Sequence, residues 1–204
     1  MDNSEQKPTV NSQITGVPMD DLIGGPLRAV TEANRILDFK IRKSVKEDLS
    51  KILVIYEKAR LFMAQHGNAT QWGNSYPSKE LIEADIEAGK SYVCLEDERI
   101  VATFYFAVED EPTYAKIKGS WLNDLPYGVI HRIASDGITK GAGTFCIIWA
   151  FSQINNIKID THNDNKPMQN LLTKLGFVRC GIINVEDGSE RIAFQRYSQF
   201  LVRI

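Results

Sequence analysis

The sequence predicts an α/β domain of the α+β kind, a mixed sheet with helices on its faces, preceded by a short arm. Three observations predict it. Strand-like and helix-like apolar periods alternate from Phe39 to Tyr197. The composition, 43% hydrophobic and 25% charged over 204 residues, suits one globular domain with an appendage. A glycine-rich turn from Gly137 to Gly143 joins a strand-like run to a helical one.

Residues 1–38 hold Pro8, Pro18 and Pro26, the pair Gly24-Gly25, and no Trp, Tyr or Phe, so they bury little. They read as an N-terminal arm. Val30, Ala33 and Leu37 follow Leu27 at helical spacing, and Pro26 suits a first turn, which predicts a short amphipathic helix there. The domain, residues 39–204, opens with the strand Phe39 to Arg42. Ser44 and Glu47 have capping-box spacing for a helix whose apolar face is Leu49, Ile52, Tyr56, Ala59 and Met63. Gly67 to Pro77 is a loop. Ser78 caps a second helix, carrying Leu81, Ile82 and Ile86 and stopped at Gly89. Tyr92 to Leu95 and Ile100 to Val108 flank the acidic turn Glu96-Asp97-Glu98 as an antiparallel hairpin. Tyr127 to Ala134 is a strand, Thr144 to Ile154 a helix, Ile157 to Thr161 a strand and Pro167 to Leu175 a helix. The strands Val178 to Val185 and Arg191 to Tyr197 close the chain around Asp187-Gly188. The predicted order is β-α-α-β-β-β-α-β-α-β-β.

Lys and Arg number 24 against 26 Asp and Glu, so no bulk basic excess exists for a nucleic-acid partner. Cys94, Cys146 and Cys180 are odd in number and far apart, which fits neither a disulfide framework nor a zinc pattern; they read as three buried thiols in a reducing compartment. No run approaches the ~18 apolar residues of a membrane span, and the opening MDNSEQKPTVNSQ lacks the features of a secretory signal. The expectation is a cytoplasmic protein with neither membrane nor nucleic-acid partner.

Val129 to Ala134, followed by Ser135 to Thr144, is a strand feeding a glycine turn at a helix start. Such a turn exposes backbone N–H groups beside the positive end of a helix dipole and is suited to phosphate. A P-loop is excluded, because G-x-x-x-x-G-K-[S/T] occurs nowhere. A dinucleotide fingerprint needs a third glycine where Cys146 stands, although Asp160 lies at the spacing of a ribose contact. A structural turn without ligand also stays open on these residues alone.

A second stretch adds to the first. After Ile157 to His162 come Asn165, Met168, Leu171, Lys174, Gly176 and Phe177. Together the two stretches resemble the GNAT family of N-acetyltransferases. The acetyl-CoA turn of that family reads Q/R-x-x-G-x-G/A; Gly141 and Gly143 match it, and Ile138 replaces Gln or Arg. The family's later helix reads N-x-x-A/M-x-x-L-Y-x-K-x-G-F; the six residues above match, and Leu172 replaces the tyrosine.

The resemblance implies the GNAT-like acyl-CoA N-acyltransferase fold from Phe39 to Tyr197, with acetyl-CoA as co-substrate and no metal. Backbone amides of Thr139, Lys140, Gly141, Ala142, Gly143 and Thr144 would hold the pyrophosphate. The backbone of Ile133, Ala134 and Ser135 would pair with the pantetheine arm, and Asn165 would hydrogen-bond it or cap its own helix. The acetyl group would lie near His131 to Ile133, where a backbone N–H stabilises a developing oxyanion. His131 is then the candidate general base and His162 a second candidate, each against the alternative of a hydrogen-bonded core histidine. Phe62, Trp72 and Tyr76 fall where the family's acceptor pocket lies, or are ordinary packing. Met168, Leu171, Leu172 and Leu175 read as core, and Leu172 removes the family's usual general acid.

The expected activity is acetyl transfer to a primary amine of a small molecule or protein. Two alternatives stay open. A non-catalytic acyl-CoA-binding or regulatory module is motivated by Leu172 and the arm, whose helix is a candidate for docking or for a homodimer. A dinucleotide-binding oxidoreductase is disfavoured, because only about 60 residues follow the turn and no second βαβ half fits.

Overall fold

The computed structural model describes residues 38–199; the helix expected from Leu27 lies outside them. The described residues form one eight-stranded mixed sheet in the order β1-β2-β3-β5-β6-β8-β7-β4. In chain order the elements are β1 (Phe39–Lys43), α1 (Leu49–Gln65), α2 (Lys79–Glu87), β2 (Ser91–Glu96), β3 (Arg99–Val108), β4 (Ile117–Gly119), β5 (Gly128–Ser135), α3 (Ala142–Ile154), β6 (Asn156–Thr161), α4 (Lys166–Lys174), β7 (Val178–Asn184) and β8 (Glu190–Tyr197). The predicted mixed sheet and its element order stand, with one strand added. Strand β4 is three residues long, too short to show a period, and pairs with β7 where Gly119 faces Gly181. A Cβ on Gly119 would lie 2.2 Å from the Cys180 carbonyl oxygen, so the close approach requires glycine.

Local signals explain most element ends. The Ser78 hydroxyl accepts from the Leu81 N–H at 3.2 Å and starts α2. Asp97 and Glu98 take positive φ, 49° and 62°, and turn β2 into β3. The start of α1 differs from expectation. A single 3-10 turn, Lys46–Asp48, precedes the helix, and the Asp48 carboxylate, not Glu47, accepts from the Val45 N–H at 2.9 Å. The Ser44 hydroxyl instead pairs with that of Ser91 at 2.9 Å, tying β1 to β2.

Alternate residues of the strands face opposite layers. Val93, Leu95 and Ile100 pack with Ile52, Ile55, Tyr56 and Ile82 of α1 and α2. On the other face Tyr92, Phe104 and Phe106 surround Trp149 of α3, and Phe39 meets Phe145. Cys94 and Cys146 are buried, whereas Cys180 is only partly so. No helix of the described residues is long and apolar enough to cross a membrane.

The sheet's one parallel contact positions the site. Strands β5 and β6 pair only at Gly128 with Ile157 and Val129 with Lys158. Past Val129 they part, leaving the β6-facing edge of β5 without a ladder partner.

Candidate active site

A cavity of about 1010 Å³ runs through this opening. Its walls include Ile133, Ala134, Ser135, Thr139, Lys140, Gly143 and Asn165 of the expected cofactor residues, His131 of the base candidates, and Phe62, Trp72 and Tyr76. Gly141, Ala142, Thr144 and His162 are not among its lining residues.

The glycine turn is shaped by a residue the sequence reading missed. The Asp136 carboxylate accepts from the N–H groups of Ile138 at 3.0 Å and Thr139 at 2.8 Å, from the Thr139 hydroxyl at 3.0 Å, and from Arg99 at 2.6 Å. Burial opposes ionisation of Asp136, but the donated hydrogen bonds outweigh it and hold the carboxyl below its ordinary value. The Thr139 amide, one of the expected pyrophosphate donors, is therefore already taken. Gly141 is the N-cap of α3 with φ 88°, a left-handed conformation that suits glycine. The N–H groups of Ala142, Gly143 and Thr144 then lie in a first turn, where a helix supplies no acceptor. Beside Gly143 a Cβ would meet nothing within 4 Å, so the helix start is open. Ile138 is 74% exposed, an apolar side chain on the rim of the turn.

At the far end of β5, His131 Nε2 lies 3.1 Å from Glu111 Oε2. A carboxylate only accepts, so Nε2 carries a proton toward Glu111. Nδ1 lies 3.9 Å from Asp160 Oδ1, which itself accepts from the buried Tyr114 hydroxyl at 2.7 Å. The hydrogen bond from His131 pulls the Glu111 carboxyl down to about 2; burial opposes this and the Thr113 donors reinforce it. Glu111 is thus ionised and a weak base at neutral pH. It ends an acidic run, Glu109 to Glu111, that carries no local signal of a partner on β5.

The structure places the other expected residues as follows. His162 stands outside the cavity, and its Nδ1 accepts from the Asp164 N–H at 3.2 Å, a local turn contact that uses its free nitrogen. Asn165 Oδ1 caps α4 at the Met168 N–H, 3.2 Å, and its amide nitrogen donates to Gln71 at 3.0 Å, joining α4 to the loop before α2. Of the four residues read as core on α4, only Leu172 is buried, at 0% exposure; Met168 and Leu171 line the cavity. The helix presents its neighbouring positions to different surroundings, so an apolar stripe served both core and cavity. Phe62 stacks on His66 with ring centroids 3.9 Å apart, and Trp72 sets its edge on Tyr56. Asp160, which bears on the dinucleotide alternative, is committed to Tyr114 and faces His131, and among the described residues the sheet holds a single parallel pair with no second βαβ half. Among the described residues no group of three or more His, Cys, Asp or Glu side chains is arranged to hold a metal ion.

A parted parallel pair, an open helix start beside it and a histidine along its open edge make up the candidate site. Solved structures carry the same architecture. A GNAT-family acetyltransferase from Streptococcus agalactiae 2603 is 28% identical, with a TM-score of 0.73 over 79% of this chain and 96% of its own. A Staphylococcus aureus Mu50 protein assigned as an acetyltransferase is 26% identical, with a TM-score of 0.59 over 77% of this chain and 97% of its own. The protein yncA of Salmonella typhimurium, solved with its cofactor acetyl-CoA, shares the fold at 15% identity, with a TM-score of 0.54 over 81% of this chain and 97% of its own. No family model and no curated protein sequence matches the chain. These likenesses support the GNAT family that the motifs around Gly141 and Asn165 implied, and acyl transfer in general.

Proposed function

We propose that this protein transfers an acetyl group from acetyl-CoA to a primary amine of a small molecule or protein. One observation carries the reading: the unpaired edge of β5 leads from the open start of α3 to His131, within one cavity. The residues present fit acetyl-CoA. The first-turn amides of α3 suit its pyrophosphate, and the β5 edge from Ile133 to Ser135 suits the amides of its pantetheine arm.

The proposed chemistry is direct attack of the amine on the thioester. The acceptor enters from the side of Phe62, Trp72 and Tyr76, aromatic surface suited to its carbon skeleton. It arrives as an ammonium, whose pKa near ~10 leaves about one molecule in a thousand neutral at pH 7. His131 Nδ1 takes the proton, with Glu111 fixing the tautomer and ring plane. A backbone N–H of β5 stabilises the oxyanion as the C–N bond forms, and the C–S bond then breaks with CoA leaving as thiolate. Leu172 is sealed in the core and offers no acid, so the second proton, which the nitrogen gives up in becoming a neutral amide, passes through water to the departing sulfur. We place the protein in the reducing cytoplasm, consistent with three free thiols.

The test is thiol release from acetyl-CoA with a panel of primary amines, beside calorimetry of acetyl-CoA. Amine-dependent release is expected. Binding without release under any amine supports the non-catalytic acyl-CoA module instead, and absence of binding overturns both readings.

A further inference from the structure

Arg132 breaks the regularity of the strand that carries it. Tyr105 of β3 faces His131 and Thr103 faces Ala134, so Phe104 alone stands opposite both Arg132 and Ile133. The extra residue is a β-bulge, and within it Arg132 has φ 52°, the left-handed region that costs a side-chain-bearing residue about 1–2 kcal/mol. Four elements hold it there. Its guanidinium donates to Asp85 of α2 at 2.6 Å and lies 4.8 Å from the centroid of the Tyr105 ring on β3. The Tyr76 hydroxyl, on the loop before α2, is 3.4 Å away. Its carbonyl accepts from the buried Tyr56 hydroxyl of α1 at 2.9 Å.

This is a costly arrangement for a strand interior. The Arg132 and Asp85 side chains are only 10% and 11% exposed, and a desolvated ion pair contributes little net stability compared with apolar packing. Strain and burial fall together at the residue between His131 and the β5 edge assigned to the pantetheine arm. The bulge also brings His131 and Arg132, which a regular strand would send to opposite faces, to the same cavity.

We propose that Arg132 is a positioning residue: Asp85 and Tyr56 lock its side chain and carbonyl so that the bulge aims a backbone N–H at the thioester carbonyl. The proposal rests on the reading that acetyl-CoA lies along β5. Because Tyr76 belongs to the acceptor side, the lock also ties that loop to the geometry of the reacting strand.

The readout is the carbonyl stretch of bound acetyl-CoA, carbon-13 labelled at the thioester carbonyl, in infrared difference spectra; it requires no acceptor. Four proteins are compared: wild type, Asp85→Asn, Tyr56→Phe and Arg132→Gly, the last keeping the positive φ without strain while removing the anchor. In wild type the labelled band is expected below that of free acetyl-CoA. In Arg132→Gly and Asp85→Asn it broadens and moves back toward the free value, while affinity by calorimetry changes less than about threefold. Tyr56→Phe, which removes one oxygen and keeps the shape, decides the question if the other variants do not fold. A wild-type band unshifted on binding, or a shift kept in folded Arg132→Gly and Asp85→Asn, overturns the proposal. A wild type that binds no acetyl-CoA in calorimetry overturns the underlying reading with it.

Discussion

Glu111 Oε2 and His131 Nε2 lie 3.1 Å apart although 20 residues separate them, and this contact assigns the two groups different work. The carboxyl held down at about 2 remains ionised and accepts the Nε2 proton, while in the proposed transfer it is Nδ1 that takes the proton of the amine.

His131→Ala is expected to lower kcat by roughly 10²–10⁴, the usual worth of a general base, with acetyl-CoA affinity unchanged. Unchanged kcat in a folded variant would return His131 to a hydrogen-bonded wall residue.

Glu111→Gln is expected to alter stability with pH. The folded carboxyl at about 2 lies below its ordinary 4.5, so its contribution is present above pH 4.5 and is lost as pH falls through 2. Urea unfolding at about pH 6 and about pH 3 should show wild type losing about 1–2 kcal/mol more than the variant over that interval. Equal losses would mean that the contact with His131 does not hold the carboxyl down.

Gly143→Leu is expected to leave the melting temperature nearly unchanged, because the added carbon enters open space. It should weaken acetyl-CoA binding in calorimetry by at least about tenfold by blocking the approach of phosphates to the first-turn amides. Unchanged affinity would place the pyrophosphate elsewhere.

A chain beginning at Phe39 is expected to keep transferase activity, since residues 1–38 carry no aromatic residue and lie outside the family motifs. A truncated chain that is folded by circular dichroism but inactive would give the arm a part in the chemistry.

The sequence by itself determined the order of elements, the resemblance to the GNAT family and the position of the glycine turn. Those signals act within a few residues: Ser78 reaches only to Leu81, Asp97 and Glu98 turn the chain on themselves, and Gly141 adopts its φ where α3 begins. The alternating apolar positions of β2 and β3 likewise follow from a single strand's pleat. Tertiary structure alone decided which polar groups meet. Arg132 finds Asp85 at 47 residues' distance and Tyr56 at 76, and Asp136 finds Arg99 at 37. It also decided that Leu172 faces core while Met168 and Leu171 face the cavity, and that His162 turns away from it. The physical reason is range. Backbone propensity and capping are settled by neighbours in the chain, whereas a buried charge, a bulge or a proton relay takes its energy from groups that only the closed sheet brings within hydrogen-bond reach.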